Sequence, residues 1–345
     1  MPPDIMPAAV YVGQGNLEVR PVPVPPIGPD DVLVEVSHCG ICGTDLHLVL
    51  EQYARPGAVL GHEWAGTVAA VGEHVDGWAL GTPVVAGPEP GCGQCRPCRR
   101  GRPSVCLRRP APDYLGFNGA FCRFVRAQAS RLLRVPEGLT LRAAALTEPT
   151  AIALHAAHLA GVTDADRVLV TGAGPVGLLI TAVLRSLGVD DVTVSEPAAV
   201  RRRRALEVGA TRTLTPEDLP PVPIGRTAEH PFTVAFECSG RPGAAAAALD
   251  HLDCAGTLVF VGTGHDWPRV NHNRMIVLEL TAIGAYNYDA DGWAPALEML
   301  ASGRLPVDLL VEPTDIGLDG LLPAMQLLAR GERAAKVLVR PGAAS

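Results

Sequence analysis

The sequence has no excess of positive charge. Its 29 lysines and arginines stand against 36 aspartates and glutamates, giving a formal charge of −7 over 345 residues and an isoelectric point near 5.8. No global positive field is available to hold nucleic acid or an anionic membrane, and neither is expected as a partner. Long apolar runs are also missing: the longest, such as Val176–Leu184, fall far short of the roughly 20 residues that span a bilayer. Met1 to Met6 lack the basic flank and apolar stretch of a secretory signal. The expectation is a soluble, cytoplasmic protein. Internal repeats and low-complexity tracts are absent apart from Ala244–Ala248, a plain helix former.

What is present is 48% hydrophobic and 19% charged, ample for a buried core but long for a single one, so two domains are expected. The first third, rich in proline and glycine, carries short β-branched runs at Val32–Val36, Gly66–Val71 and Pro83–Val85. These suggest a mainly antiparallel, barrel-like domain. From about residue 150, apolar strands at Val168–Thr171, Val192–Ser195, Val234–Glu237 and Thr257–Val261 alternate with stretches of helical period. That alternation predicts a parallel, doubly wound α/β sheet. Two helical stretches, Ala296–Ser302 and Leu321–Arg330, and a strand at Lys336–Arg340 are expected to return to the first domain.

The strand at Val168–Thr171 runs into Gly172-Ala-Gly174-Pro175-Val176-Gly177 and then a helical stretch. In that context the first glycine permits the turn, the second lets backbone approach a pyrophosphate and the third lets helix pack on strand. The pyrophosphate would lie on the helix N-terminus, where unpaired N–H groups favour an anion. Glu196, at the end of the next strand, is placed to accept hydrogen bonds from both ribose hydroxyls, which favours NAD over NADP. Arg201 to Arg204 follow; Arg201 or Arg202 swinging back to a phosphate would favour NADP instead. Arg201 and Val261, which closes the strand Thr257–Val261, are counted with the cofactor-binding positions.

Nine cysteines, an odd number and clustered, argue for metal rather than disulfides in a reducing compartment. Cys92, Cys95, Cys98 and Cys106 lie within fifteen residues of a glycine- and proline-rich loop. Four thiolates make a closed tetrahedral set that suits a structural zinc, with no position left for water; an iron–sulfur cluster is the alternative. A second, open set is offered by Cys42 in Gly40-Ile-Cys42-Gly-Thr44-Asp45-Leu-His47, by His62 and Glu63 in Gly61-His62-Glu63-Trp64, and by Glu148 at the domain junction. Singly, each has a plain structural reading. Cys39 and Cys42 also form a CxxC pair, but no thioredoxin-like unit surrounds them.

These motifs, in this order, resemble the zinc-containing medium-chain dehydrogenases over nearly the whole chain, from about Pro7 to Pro341. The resemblance implies a GroES-like, β-rich catalytic domain over residues 1–150, completed by 286–345. It also implies a Rossmann NAD-binding domain over 151–285 and an active site in the cleft between them. Cys42, His62 and Glu63 match the catalytic-zinc positions of the polyol, threonine and butanediol dehydrogenase branch, and Glu148 its additional carboxylate; which of the two glutamates is bound directly stays open. Thr44 matches the hydroxyl that takes the substrate proton, His47 the outer end of that relay, and Lys336 a basic position touching the pyrophosphate. The implied chemistry is hydride transfer between a secondary alcohol or polyol and NAD, with two zinc ions per chain in a homodimer or homotetramer. Trp64, Leu48, Tyr53, Phe117 and Tyr286 are candidate pocket residues. A polyol, vicinal diol, amino alcohol or aminocyclitol would each suit this branch. The competing readings explain less: a nucleic-acid-binding zinc ribbon leaves the glycine loop and acidic balance unaccounted for, a zinc-free quinone reductase would lack Cys42 and the cysteine lobe, and a non-enzymatic descendant would not need every metal position filled.

Overall fold

Glycine and proline turns cut the N-terminal part into short antiparallel strands. In the computed structural model, which describes residues 2–87, 91–109 and 119–342, these are β1 (Ile5–Gly13), β2 (Asn16–Pro23), β3 (Asp31–Gly40), β4 (Glu63–Val71), β5 (Pro83–Ala86), β6 (Phe124–Gln128) and β7 (Leu132–Arg134). The first two form a hairpin. The central strand β3 pairs on one side with β4 and on the other with β6, and β5 and β7 extend the sheet beyond β4. A register shift between Val36 and His38 bends β3 just before it delivers Cys39 to Cys42; such bulges re-aim side chains beside sites.

The second unit holds β8 (Arg167–Thr171), β9 (Asp191–Ser195), β10 (Arg212–Leu214), β11 (Phe232–Glu237), β12 (Leu252–Phe260) and β13 (Thr281–Gly284). Their order is β10-β9-β8-β11-β12-β13 and every pair is parallel. The strand order reverses direction at the β8/β11 neighbourhood, where doubly wound sheets bind nucleotides. Val168, Leu169 and Val170 of the central strand are wholly buried because helices cover both faces.

The tail does return: β14 (Leu338–Val339) adds to β3 opposite Gly40 and Cys39, and the helix Leu321–Ala329 packs Leu321 and Met325 into the core of the first unit. The expected strand at Lys336–Arg340 is thus shorter than its apolar pattern suggests. A boundary at 150/151 would fall inside one continuous helix, Thr147–Ala160, which ends at Gly161 in the left-handed conformation (φ 63°). The helix Ala290–Ala301 sends Trp293, Ala296 and Leu300 into a core that takes in Val168 and Val192 of the parallel sheet together with Ala65, Val85 and Leu338 of the first unit. Among the described residues, no helix is long and apolar enough to cross a membrane.

Candidate active site

The register between β3 and β4 assembles the metal set. Gly40 ends β3 directly opposite Glu63, the first residue of β4, so the residues that follow one strand and precede the other meet at one sheet end. A side chain at Gly40 would collide with the Glu63 carboxylate. Cys42 caps the helix Gly43–Leu50 in extended conformation, its N–H donating to Asp45 Oδ2 at 2.9 Å. Cys42, His62 and Glu63 each bring one donor atom, all within 4.8 Å of one another.

The charge around this set calls for a cation. Glu63 is fully buried; Oε1 accepts from Lys336 Nζ at 2.7 Å, while Oε2 is a buried acceptor with no hydrogen-bond partner among the described residues. Asp45, 1% exposed, places Oδ1 3.9 Å from His62 Nδ1. Desolvation pulls the His62 imidazole down, but Cys42, Asp45 and Glu148 raise it well above the ordinary histidine range. Glu148, in the first turn of the helix Thr147–Ala160, is pushed up to about 7 by burial, with His62 opposing. It faces the set but stands outside the 4.8 Å group. Among the described residues a thiol and three carboxyl groups therefore crowd around the His62 imidazole and the Lys336 ammonium. A mixed sulfur, nitrogen and oxygen set of three with room for a further group is what an open zinc site requires, and these residues fit it.

Thr44 Oγ1 lies 3.7 Å from Cys42 Sγ. His47 is on the same helix three residues on, and its Nδ1 bonds Glu51 Oε2 at 2.9 Å. Cys39 is wholly buried and its thiol is pushed well up by desolvation, which removes it from redox chemistry with Cys42.

The glycine loop has the three steric roles expected of it. Gly172 has φ 96° and abuts the Ser239 backbone, Gly174 meets Arg201 alone among the described residues and at the edge of contact, and Gly177 is jammed against the Gly172 carbonyl. Pro175 and Val176 open the helix Pro175–Ser186. Glu196 ends up beside the loop as expected, yet both its oxygens accept main-chain N–H groups, from Ala173 at 2.8 Å and Ala198 at 2.9 Å. Arg201 donates to the Arg333 and Leu328 carbonyls, and Arg202 to those of Glu196 and Pro197. Val261 lies just past β12, its N–H on the Glu237 carbonyl.

Cys92, Cys95, Cys98 and Cys106 converge with their sulfurs within 4.8 Å, and N–H groups of Cys92, Cys95 and Arg108 point at sulfur over 3.3–3.4 Å. Those of Cys92 and Arg108 hold the Cys106 thiol down to about 6. Donors to sulfur stabilise thiolates, so this closed set fits a structural zinc.

Lys336, expected at the pyrophosphate, is 1% exposed beside the metal set, its Nζ donating to Glu63 and to the Ile41 carbonyl at 3.0 Å, because an ammonium buried there must be paired. Trp64 is 8% exposed and packs in the core of the first domain. Leu48 is half-buried against that same core, Tyr53 and Tyr286 are half-exposed, and Phe117 lies outside the described residues. Sequence reading missed Asp45, although an acidic residue three places after a helix cap is a capping-box signal. It missed Asp289, which accepts from Arg102 Nε (2.9 Å) and Ser104 N–H (2.8 Å) and ties the cysteine lobe to the second domain. That pairing spans 185 residues and leaves no local pattern.

Residues 28–137 match the alcohol dehydrogenase GroES-like domain and residues 175–302 the zinc-binding dehydrogenase domain. Human sorbitol dehydrogenase is 33% identical over 88% of this chain and 87% of its own length. The chain belongs to the zinc-containing alcohol dehydrogenase family. Another relative, the L-threonine 3-dehydrogenase of Stenotrophomonas maltophilia, is 32% identical over 83% of this chain and 88% of its own. A zinc-binding dehydrogenase of Sinorhizobium meliloti bound to NADP superposes with a TM-score of 0.86 at 30% identity, covering 98% of this chain and all of that one. The fold class expected from the motifs, a GroES-like domain with a Rossmann sheet, is the one found.

Proposed function

We propose that this dehydrogenase oxidises a secondary alcohol of a polyol, vicinal diol or amino alcohol to the ketone, with reduction of NAD, and runs in reverse when products accumulate. The observation that carries this reading is the open Cys42/His62/Glu63 set, whose remaining donor positions are carboxylates rather than a second thiolate. Sorbitol and L-threonine dehydrogenases among the relatives act on substrates of this class. A zinc ion held by Cys42, His62 and a carboxylate supplies Lewis-acid polarisation of the alcohol oxygen. Thr44, beside Cys42, would take the substrate hydroxyl proton as it releases its own, and His47 at the helix surface would receive the released proton and give it to solvent. Glu63 and Glu148 compensate the metal's charge, and Lys336 fixes the Glu63 rotamer through its 2.7 Å bond.

The glycine loop holds the pyrophosphate and Glu196 the adenosine ribose. NAD is preferred, because the Arg201 and Arg202 guanidiniums are engaged by main-chain carbonyls and the Glu196 carboxylate repels a 2′-phosphate. A cytoplasmic setting keeps the cysteine lobe reduced. Assembly as a dimer or tetramer is supported by the edge strand β13, where Thr281, Ala282 and Gly284 are exposed beside the bare Ile276 and Val277 side chains. A panel of polyols, diols and amino alcohols with NAD, followed by NADH absorbance, tests the reading. A substrate among them turned over with NAD is the expected result, and NADH formation from none of them contradicts it.

A further inference from the structure

Where the helix Gly43–Leu50 meets the loop after β12 there is a group of side chains that the dehydrogenase chemistry does not use as a group. Glu51, just past the helix Gly43–Leu50, accepts from two imidazoles through one oxygen, Oε2. His47 Nδ1 is 2.9 Å away, one helical turn upstream, and His265 Nε2 reaches the same oxygen from the nucleotide domain, in the loop after β12. The imidazole rings stand edge to face, centroids 5.6 Å apart at 87°. Two nitrogens and one carboxylate oxygen thus lie within 4.8 Å of one another, two of the residues from the first domain and one from the second. Side-chain exposures of 33%, 42% and 49% for His47, Glu51 and His265 leave them open to ions in solution.

A second observation gives this cluster the character of a ligand site. Tyr53 stacks on the His265 ring, centroids 4.8 Å apart at 19°, and its hydroxyl lies 3.1 Å from His265 Nδ1. Metal-binding histidines are oriented in this way by a partner on the far ring nitrogen, so that an ion displacing the Nε2 proton would meet a ring already turned towards it. Burial works to raise the Glu51 carboxyl, but hydrogen bonds and charge from His47 and His265 hold it below its ordinary value, so it is an anion at neutral pH. Two imidazoles and a carboxylate are a donor set that zinc accepts, with water completing the shell. Drawing these atoms onto an ion needs only rotation of exposed side chains.

We propose that His47, Glu51 and His265 form a third, surface metal site that takes zinc or a similar borderline divalent ion when it is in excess and staples the two domains together. The ion occupies His47, so turnover falls when it binds; this consequence alone rests on the proton path proposed above.

The holoenzyme, dialysed to constant zinc content, is titrated with zinc chloride, and both bound metal and initial rate are followed. One additional zinc per chain is expected, with turnover lost at the same midpoint. His265→Gln removes the nucleotide-domain ligand and leaves the proton path intact. It is expected to keep basal turnover and to need about tenfold or more zinc for both effects. An additional ion that leaves turnover unchanged supports the site and contradicts only the role of His47. No additional ion in the wild type, or one that binds His265→Gln at the wild-type midpoint, overturns the proposal.

Discussion

Thr44 and Glu196 can be replaced in ways that alter chemistry while keeping shape. Thr44→Val keeps the branched side chain beside Cys42 and removes the hydroxyl. Turnover on the best alcohol should fall by a factor on the order of 10², with zinc content unchanged; near-normal turnover would remove Thr44 from the proton path. Glu196→Ser is expected to shift the ratio of kcat/KM towards NADP. Because Glu196 also accepts the Ala173 and Ala198 N–H groups, KM for NAD should rise even where kcat holds. A wild-type preference for NADP of about tenfold, roughly 1.4 kcal/mol, would show that the arginines set the choice instead. Cys42, His62 and Glu63 were legible in the sequence because thiol, imidazole and carboxylate recur in short motifs. The partner of Lys336 was not, since its pairing with Glu63 joins positions 273 residues apart and follows from burial alone.

Among the elements, the cysteine lobe and its anchor make separate contributions. Its spacing showed in the sequence because all four ligands are local. Cys98→Ser should lower thermal stability and remove one zinc while any folded fraction keeps catalytic metal; an unchanged Tm and zinc count would deny the lobe a structural metal. Asp289 holds that lobe to the second domain. Desolvation works to raise its carboxyl, but bonds from Ser104 and the charges of His155 and Arg102 leave it below the ordinary aspartate value. Its contribution is therefore complete above about pH 4 and fades as pH falls through the folded value. Asp289→Asn should cost about 1–2 kcal/mol near neutrality and progressively less in acid. A destabilisation independent of pH would show that the charge is immaterial. The parallel strands were legible as apolar runs, whereas β10 and β13, short and at the sheet edges, carry too little buried pattern to stand out.

For the whole molecule, the arrangement places an open metal set at the end of one sheet and a phosphate loop at the switch point of the other, with the long helix Thr147–Ala160 carrying Glu148 between them. Order along the chain announced both parts; the way the tail divides, with Ala290–Ala301 against the helix Thr147–Ala160 and β14 on β3, did not show in local patterns because long-range packing decides it. The most direct test of the account is the zinc content of freshly purified, exhaustively dialysed protein, measured together with NADH formation, for the wild type and for Cys42→Ser. The account predicts two zinc ions per chain in the active wild type, and one in a folded Cys42→Ser protein that no longer forms NADH. A single zinc in fully active wild-type protein, or Cys42→Ser retaining both metal and turnover, would contradict it.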